Sequence, residues 1–308
     1  MTRSTWLGAT IILAAAATPA ATANGVIITW PGNTAEWNRR LGVDELRLGC
    51  KYEFPRCVAS MRRKLRDEGE AAATIAIVGD PRKTAADAAE YSNLSVEEPR
   101  LRGVGIDDFV SVLAHWRKDG LLPDGATPAL KTILNSAHSR NPQLTFGITL
   151  YESELASPLL RDAVLSREVK GRVGRVTLYL HYRENGRNYA DYVRQVRQMF
   201  PHAQVIAGIY AYDRVDYAPC AGKGRPNCSA QSELSLFKDT LITQMSLLAD
   251  KRVDGVELYP GYYGAEDSWP ALGKPNICRP ERRAECLATM LKMRELVEQA
   301  LQHRQDAP

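Results

Sequence analysis

The chain has 308 residues, 44% of them hydrophobic and 25% charged, and a formal net charge of +4. That length allows one large core or two small ones. The balanced charge excludes a nucleic-acid tract, since the cluster Arg62-Arg63-Lys64 has the spacing of a solvated helix face.

Residues 1–23 have the layout of a cleaved export signal: Arg3, an apolar run from Trp6 to Ala17, then Ala21-Thr22-Ala23. A membrane anchor is the other reading. The run is short for a bilayer and Pro19 interrupts it, so export to the periplasm or beyond is expected, with no membrane span left after cleavage.

From Asn24 onward, strand-like and helix-like blocks alternate. Strands are predicted at 25–31, 44–49 and 73–79, with helices over 34–41 and 58–68 and a helical run inside 83–98. The fourth strand is Leu101 to Asp107, followed by helical stretches at 109–117 and 128–138. Strands over 143–151, 172–182, 204–212 and 253–259 complete the set. The intervening helices fall at 159–169, 189–199 and 232–248, and a closing helix at 286–302. The 189–199 helix is expected to carry Tyr192, Val196 and Met199 on one side. Eight strands separated by helices predict an α/β chain, a single (β/α)8 barrel over residues 24–308. A doubly wound sheet is the alternative, but no Gly-x-Gly-x-x-Gly follows the first strand.

The six cysteines are even in number, which suits an oxidising compartment. They fall into close pairs, Cys50/Cys57, Cys220/Cys228 and Cys278/Cys286, in the stretches after strands two, seven and eight. Three local disulfides stiffening loops of the C-terminal face are expected, each contributing roughly 2–3 kcal/mol. A zinc site is the rival, and no Cys-x-x-Cys spacing supports it.

In such a barrel the site lies at the C-terminal ends of the strands. Strand alternation puts Gly103, Gly105 and Asp107 on the inner face of strand four, with Asp108 next to it. The same rule turns Thr149 and Tyr151 inward, with Glu152 at the rim; it also turns His181, Tyr210, Tyr212, Glu257 and Tyr259 inward. Trp30 and Asp213 stand at the ends of their strands. Carboxylates among aromatic rings suit a sugar, whose C–H faces stack on rings and whose hydroxyls bond to acids. Hydrolysis of a glycosidic bond needs two carboxyl functions, one protonated and one ionised, and crowding acids together splits their pKa values. Asp107, Asp108, Glu257 and Glu152 are the catalytic candidates; Trp30, Tyr151, His181, Tyr210, Tyr212, Asp213 and Tyr259 are the substrate-binding ones. Asp108 also fits a cap on the helix that follows it.

The pattern Gly105-Ile106-Asp107-Asp108-Phe109, with Glu152 after strand five and Glu257 on strand eight, resembles secreted (β/α)8 glycoside hydrolases. The adjacent pair is similar to that of barrel hexosaminidases that use substrate assistance. The resemblance implies hydrolysis of a glycosidic bond by an exported protein with a carbohydrate substrate; no cofactor or metal is assigned. Two alternatives stay open: a glycan-binding barrel without catalysis, and a metal-dependent hydrolase binding Mg²⁺ or Ca²⁺ through Asp107, Asp108 and Glu257. Few histidines (five) and no His-x-His spacing speak against a histidine-ligated metal centre, while the carboxylate site stays open.

Overall fold

The computed structural model describes residues 25–30, 35–49, 53–69, 71–211, 230–259, 281 and 283–305. Eight parallel strands close into a barrel in sequence order: β1 (Val26–Thr29), β2 (Glu45–Gly49), β3 (Ala72–Ile77), β4 (Leu101–Ile106), β5 (Thr145–Tyr151), β6 (Arg175–Tyr179), β7 (Gln204–Tyr210) and β8 (Gly255–Tyr259), with β8 pairing back to β1. Around it run α1 (Ala35–Leu41), α2 (Phe54–Asp67), α3 (Pro81–Glu97), α4 (Phe109–Lys118), α5 (Ala126–Ala137), α6 (Arg167–Gly171), α7 (Tyr189–Met199), α8 (Ala230–Ala249) and α9 (Arg283–Gln305).

Each strand sorts its side chains by alternation. Val104 and Ile106, Phe146 and Ile148, and Val256 and Leu258 are all buried in the apolar layer between sheet and helices. The opposite faces fill the barrel. The glycine face of β4 is required there, because a Cβ at Gly105 would overlap the Gly147 carbonyl of β5.

Two local expectations are corrected. Residues 159–169 are not one helix. A single 3₁₀ turn covers Pro158–Leu160, Arg161 is extended, and α6 starts only after Ser166, whose hydroxyl accepts from the Val169 N–H. The second helix begins at Phe54 rather than Val58. Pro55 fits its first turn, where a missing N–H costs nothing, so Cys57 lies on the helix and not in the preceding loop. On α7 the expected side is seen: Tyr192 and Met199, half-buried, pack against the same core as Val196, and Tyr189 and Val193 are buried with it.

Cys57 and Cys286 are both buried, and neither is a free thiol. Cys50, Cys220, Cys228 and Cys278 lie outside the described residues, and so do the expected pairings and the export signal. Among the described residues no helix is long and apolar enough to cross a membrane.

Candidate functional site

The barrel interior is polar, and it is organised in layers from the N-terminal end upward. In the lowest layer the Arg175 guanidinium of β6 pairs with Glu45 of β2, and the Thr74 hydroxyl of β3 donates to the same carboxylate. All three are buried. Burial pushes the Glu45 carboxyl up, but Arg175 and the Thr74 hydroxyl outweigh it and hold the group below its ordinary value.

One layer higher, Arg47 of β2 lies across the barrel. It donates to the Thr149 hydroxyl at 2.8 Å and to the Glu257 carboxylate at 3.1 Å. Glu257 is fully buried and also accepts from Thr177 (3.0 Å), Tyr179 (2.9 Å) and the Trp30 indole (3.0 Å). Register explains the convergence: Thr149 lies opposite Thr177, and Glu257 lies opposite both Gly208 and Ile28. Gly208 is needed because a Cβ there would run into the Tyr179 ring. Burial works against the Arg47 charge, and Glu257 and Asp107 more than offset it, so the guanidinium is held above its ordinary value. The Tyr179 phenol is pushed well up, by burial first and by the Glu257 charge second.

The top layer is the mouth. Asp107 is partly open, its side chain 31% exposed, and stands 3.7 Å from Arg47. Asp108 is exposed and has left-handed backbone angles, φ 48° and ψ 47°. A non-glycine residue there costs about 1–2 kcal/mol, and such outliers cluster at functional sites. Asp108 occupies the cap position of α4, yet its side chain makes no capping hydrogen bond. That overturns the cap reading. The carboxylate instead accepts from the Tyr151 hydroxyl at 2.6 Å, and Tyr151 is joined to the Tyr210 hydroxyl at 2.7 Å. The Tyr151 phenol is pushed up by burial, then by Tyr210 and Asp108.

Rings complete the mouth. His181 stacks on Tyr151 with centroids 3.8 Å apart and planes 7° from parallel, and its Nδ1 is 2.6 Å from the Ser153 hydroxyl. Tyr179 stacks on Tyr210 at 4.3 Å, and Tyr259 meets both Tyr210 and Trp30 edge-on.

Glu152 is not at an open rim. It is buried, and its two oxygens accept from the backbone N–H groups of His181 and Tyr182 and from the Asn185 amide. Every hydrogen bond its side chain is seen to make holds the segment after β6, which places His181. Tyr212 and Asp213 lie outside the described residues. Among the described residues, no three His, Cys, Asp or Glu side chains converge as a metal site.

No family model matches the sequence, and no curated protein matches it. Solved structures share the barrel. The GH53 catalytic domain of Ignisphaera aggregans is 12% identical with a TM-score of 0.48, over 75% of this chain and 79% of that one. Active domain 2 of a Pyrococcus furiosus chitinase is 12% identical with a TM-score of 0.47, over 76% and 83%. A chain of the Pyrococcus furiosus tryptophan synthase complex is 12% identical with a TM-score of 0.45, over 89% and 98%. Glycosidases and an enzyme of other chemistry are matched at similar identity and TM-score.

Two residues of the site escape the reading of strand tips. Arg47 was legible: Glu45-Leu46-Arg47-Leu48 alternates charge with leucine, which puts both charges on the inner face of β2. Glu154 was not. It sits in the 3₁₀ turn Glu152–Glu154, past the end of β5, where alternation no longer applies.

Proposed function

We propose that this chain is an exported glycoside hydrolase whose principal reactive carboxylate is Asp108. The observation that carries the reading is the strained backbone of Asp108. Its side chain forgoes the helix cap and turns to the Tyr151–Tyr210 pair in a bowl of aromatic rings. The acids and rings together fit a sugar that is cut, with hydroxyls meeting carboxylates and ring faces meeting C–H faces.

Roles follow from position. Asp108 faces the bond to be broken. Asp107, beside Arg47, supplies charge to the sugar site. Glu257 is a counter-ion to Arg47 rather than a reacting group, because it is sealed under Tyr179 and Trp30 with both oxygens engaged. Tyr151, His181, Tyr210, Tyr259 and Trp30 form the sugar platform, and Glu152 positions His181. Residues 1–23 direct export, and the local pairs Cys50–Cys57, Cys220–Cys228 and Cys278–Cys286 brace the loops of the same face.

The test is product release from a panel of bacterial and plant polysaccharides, amino-sugar polymers included, by the mature protein and by folded D108N. Cleavage by the wild type that falls by roughly 10²–10⁴ in D108N is the expected result. Glycan binding without any product would make this a binding barrel instead.

A further inference from the structure

Hydrolysis of a glycoside requires a proton for the departing oxygen, and among Asp107, Asp108, Glu152 and Glu257 none has a carboxyl placed to carry it. Asp108 accepts from Tyr151, Asp107 lies beside Arg47, and Glu152 and Glu257 are taken up by donors. Glu154 also accepts on both oxygens, but through longer contacts, 3.2 and 3.5 Å. It is half-buried beyond the C-terminal end of β5, three residues past Tyr151, the last of the strand. One oxygen accepts from the Tyr151 backbone N–H at 3.2 Å; the other meets the Ser111 hydroxyl at 3.5 Å. Ser111 lies in the first turn of α4, the helix that Asp108 precedes. Tyr151 therefore touches both carboxylates, Glu154 through its N–H and Asp108 through its hydroxyl.

We propose that Glu154 is the proton donor of the cleavage, working opposite Asp108; this rests on the glycosidase reading above. The carboxylic acid of Glu154 passes its proton to the glycosidic oxygen. The bond from that oxygen to the anomeric carbon breaks, and its electron pair stays on the oxygen. Water bonds to the anomeric carbon, and its surplus proton goes to Asp108. Atoms and charge balance, with Glu154 left ionised and Asp108 left protonated until they exchange protons with solvent.

The surroundings favour a proton on Glu154 near neutrality. Burial pushes its carboxyl up, the Tyr151 N–H pulls it down, the Asp108 charge pushes it up again, Ser111 lowers it and the Glu152 charge raises it, for a net value of about 7. These groups set the sign of the pH effect. The acid form is present below about 7 and is lost as pH rises through that value, so kcat should decline on the alkaline side.

E154Q separates a proton donor from a brace. A glutamine carbonyl accepts the Tyr151 N–H as well as a carboxylate does, but it has no proton to give. The expected result is an unchanged melting temperature and a loss of roughly 100-fold or more on unactivated glycosides. On dinitrophenyl glycosides, whose leaving group needs no protonation, the loss should be under about tenfold, and the alkaline decline should vanish. Equal loss on both substrate types, or no loss on either, overturns the assignment of Glu154 alone. Wild-type protein that cleaves no glycoside of either type overturns the glycosidase reading, and this assignment with it.

Discussion

Two halves of the barrel interior use the same residue types for opposite ends. Below, Glu45 with Arg175 and Glu257 with Arg47 are carboxylates buried against guanidinium groups and hydroxyls of neighbouring strands. Above, Asp107, Asp108 and Glu154 are partly or fully exposed; Asp108 and Glu154 meet hydroxyl and N–H groups, and Asp107 lies 3.7 Å from Arg47. Acids of the first kind hold the barrel together, because a buried charge is tolerated only when paired. Acids of the second kind keep hydrogen-bonding capacity that a substrate can use. Glu257 teaches the difference. It points inward from a strand, as a catalytic acid would, yet it belongs to the sealed half.

The largest expected effect tests that division. Arg47→Leu leaves Glu257 buried without its cation and should destabilise the fold by about 3–5 kcal/mol, measured by urea unfolding. Adding Glu257→Leu should recover most of that loss, since apolar pairs commonly replace buried ion pairs at little cost. A double variant no more stable than the single one would mean that the hydroxyls around Glu257, and not Arg47, dominate.

A smaller effect is expected where the halves meet. Tyr151→Phe removes the hydroxyl between Asp108 and Tyr210 and keeps the ring that stacks on His181. Turnover should fall by roughly 10- to 150-fold, the equivalent of about 1.5–3 kcal/mol for one hydrogen bond to a charged group, with the melting temperature nearly unchanged. A stability loss without a turnover loss would place Tyr151 with the sealed half.

The smallest effect on stability has the opposite sign. Asp108→Gly relieves the left-handed backbone and should stabilise the fold by about 1 kcal/mol while abolishing cleavage. Calorimetry that shows no gain would remove strain from the argument for Asp108.

Much of this was legible in order along the chain. Eight strand blocks, the glycine face of β4 and the inward direction of Asp107, Thr149, Tyr151 and Glu257 all follow from a period of two, which is a property of neighbouring residues and survives any tertiary arrangement. The run 159–169 misled because its leucines and valines suit a helix, while Ser166 and the extended Arg161 break it locally.

Which acids react was not legible, because partners across a barrel are distant in sequence. Arg47 and Glu257 are 210 residues apart, and Tyr151 is 43 from Asp108. Alternation says that a carboxylate points inward, but only closure of the sheet says whether it meets a cation, a hydroxyl or open space. The sequence by itself determined the barrel and the faces of its strands, since those rest on local sterics and hydrophobic patterning. The tertiary structure alone decided that Glu257 is sealed, that Asp108 turns away from its helix and that Glu154 joins it at the mouth, since burial and charge pairing exist only once distant strands are side by side.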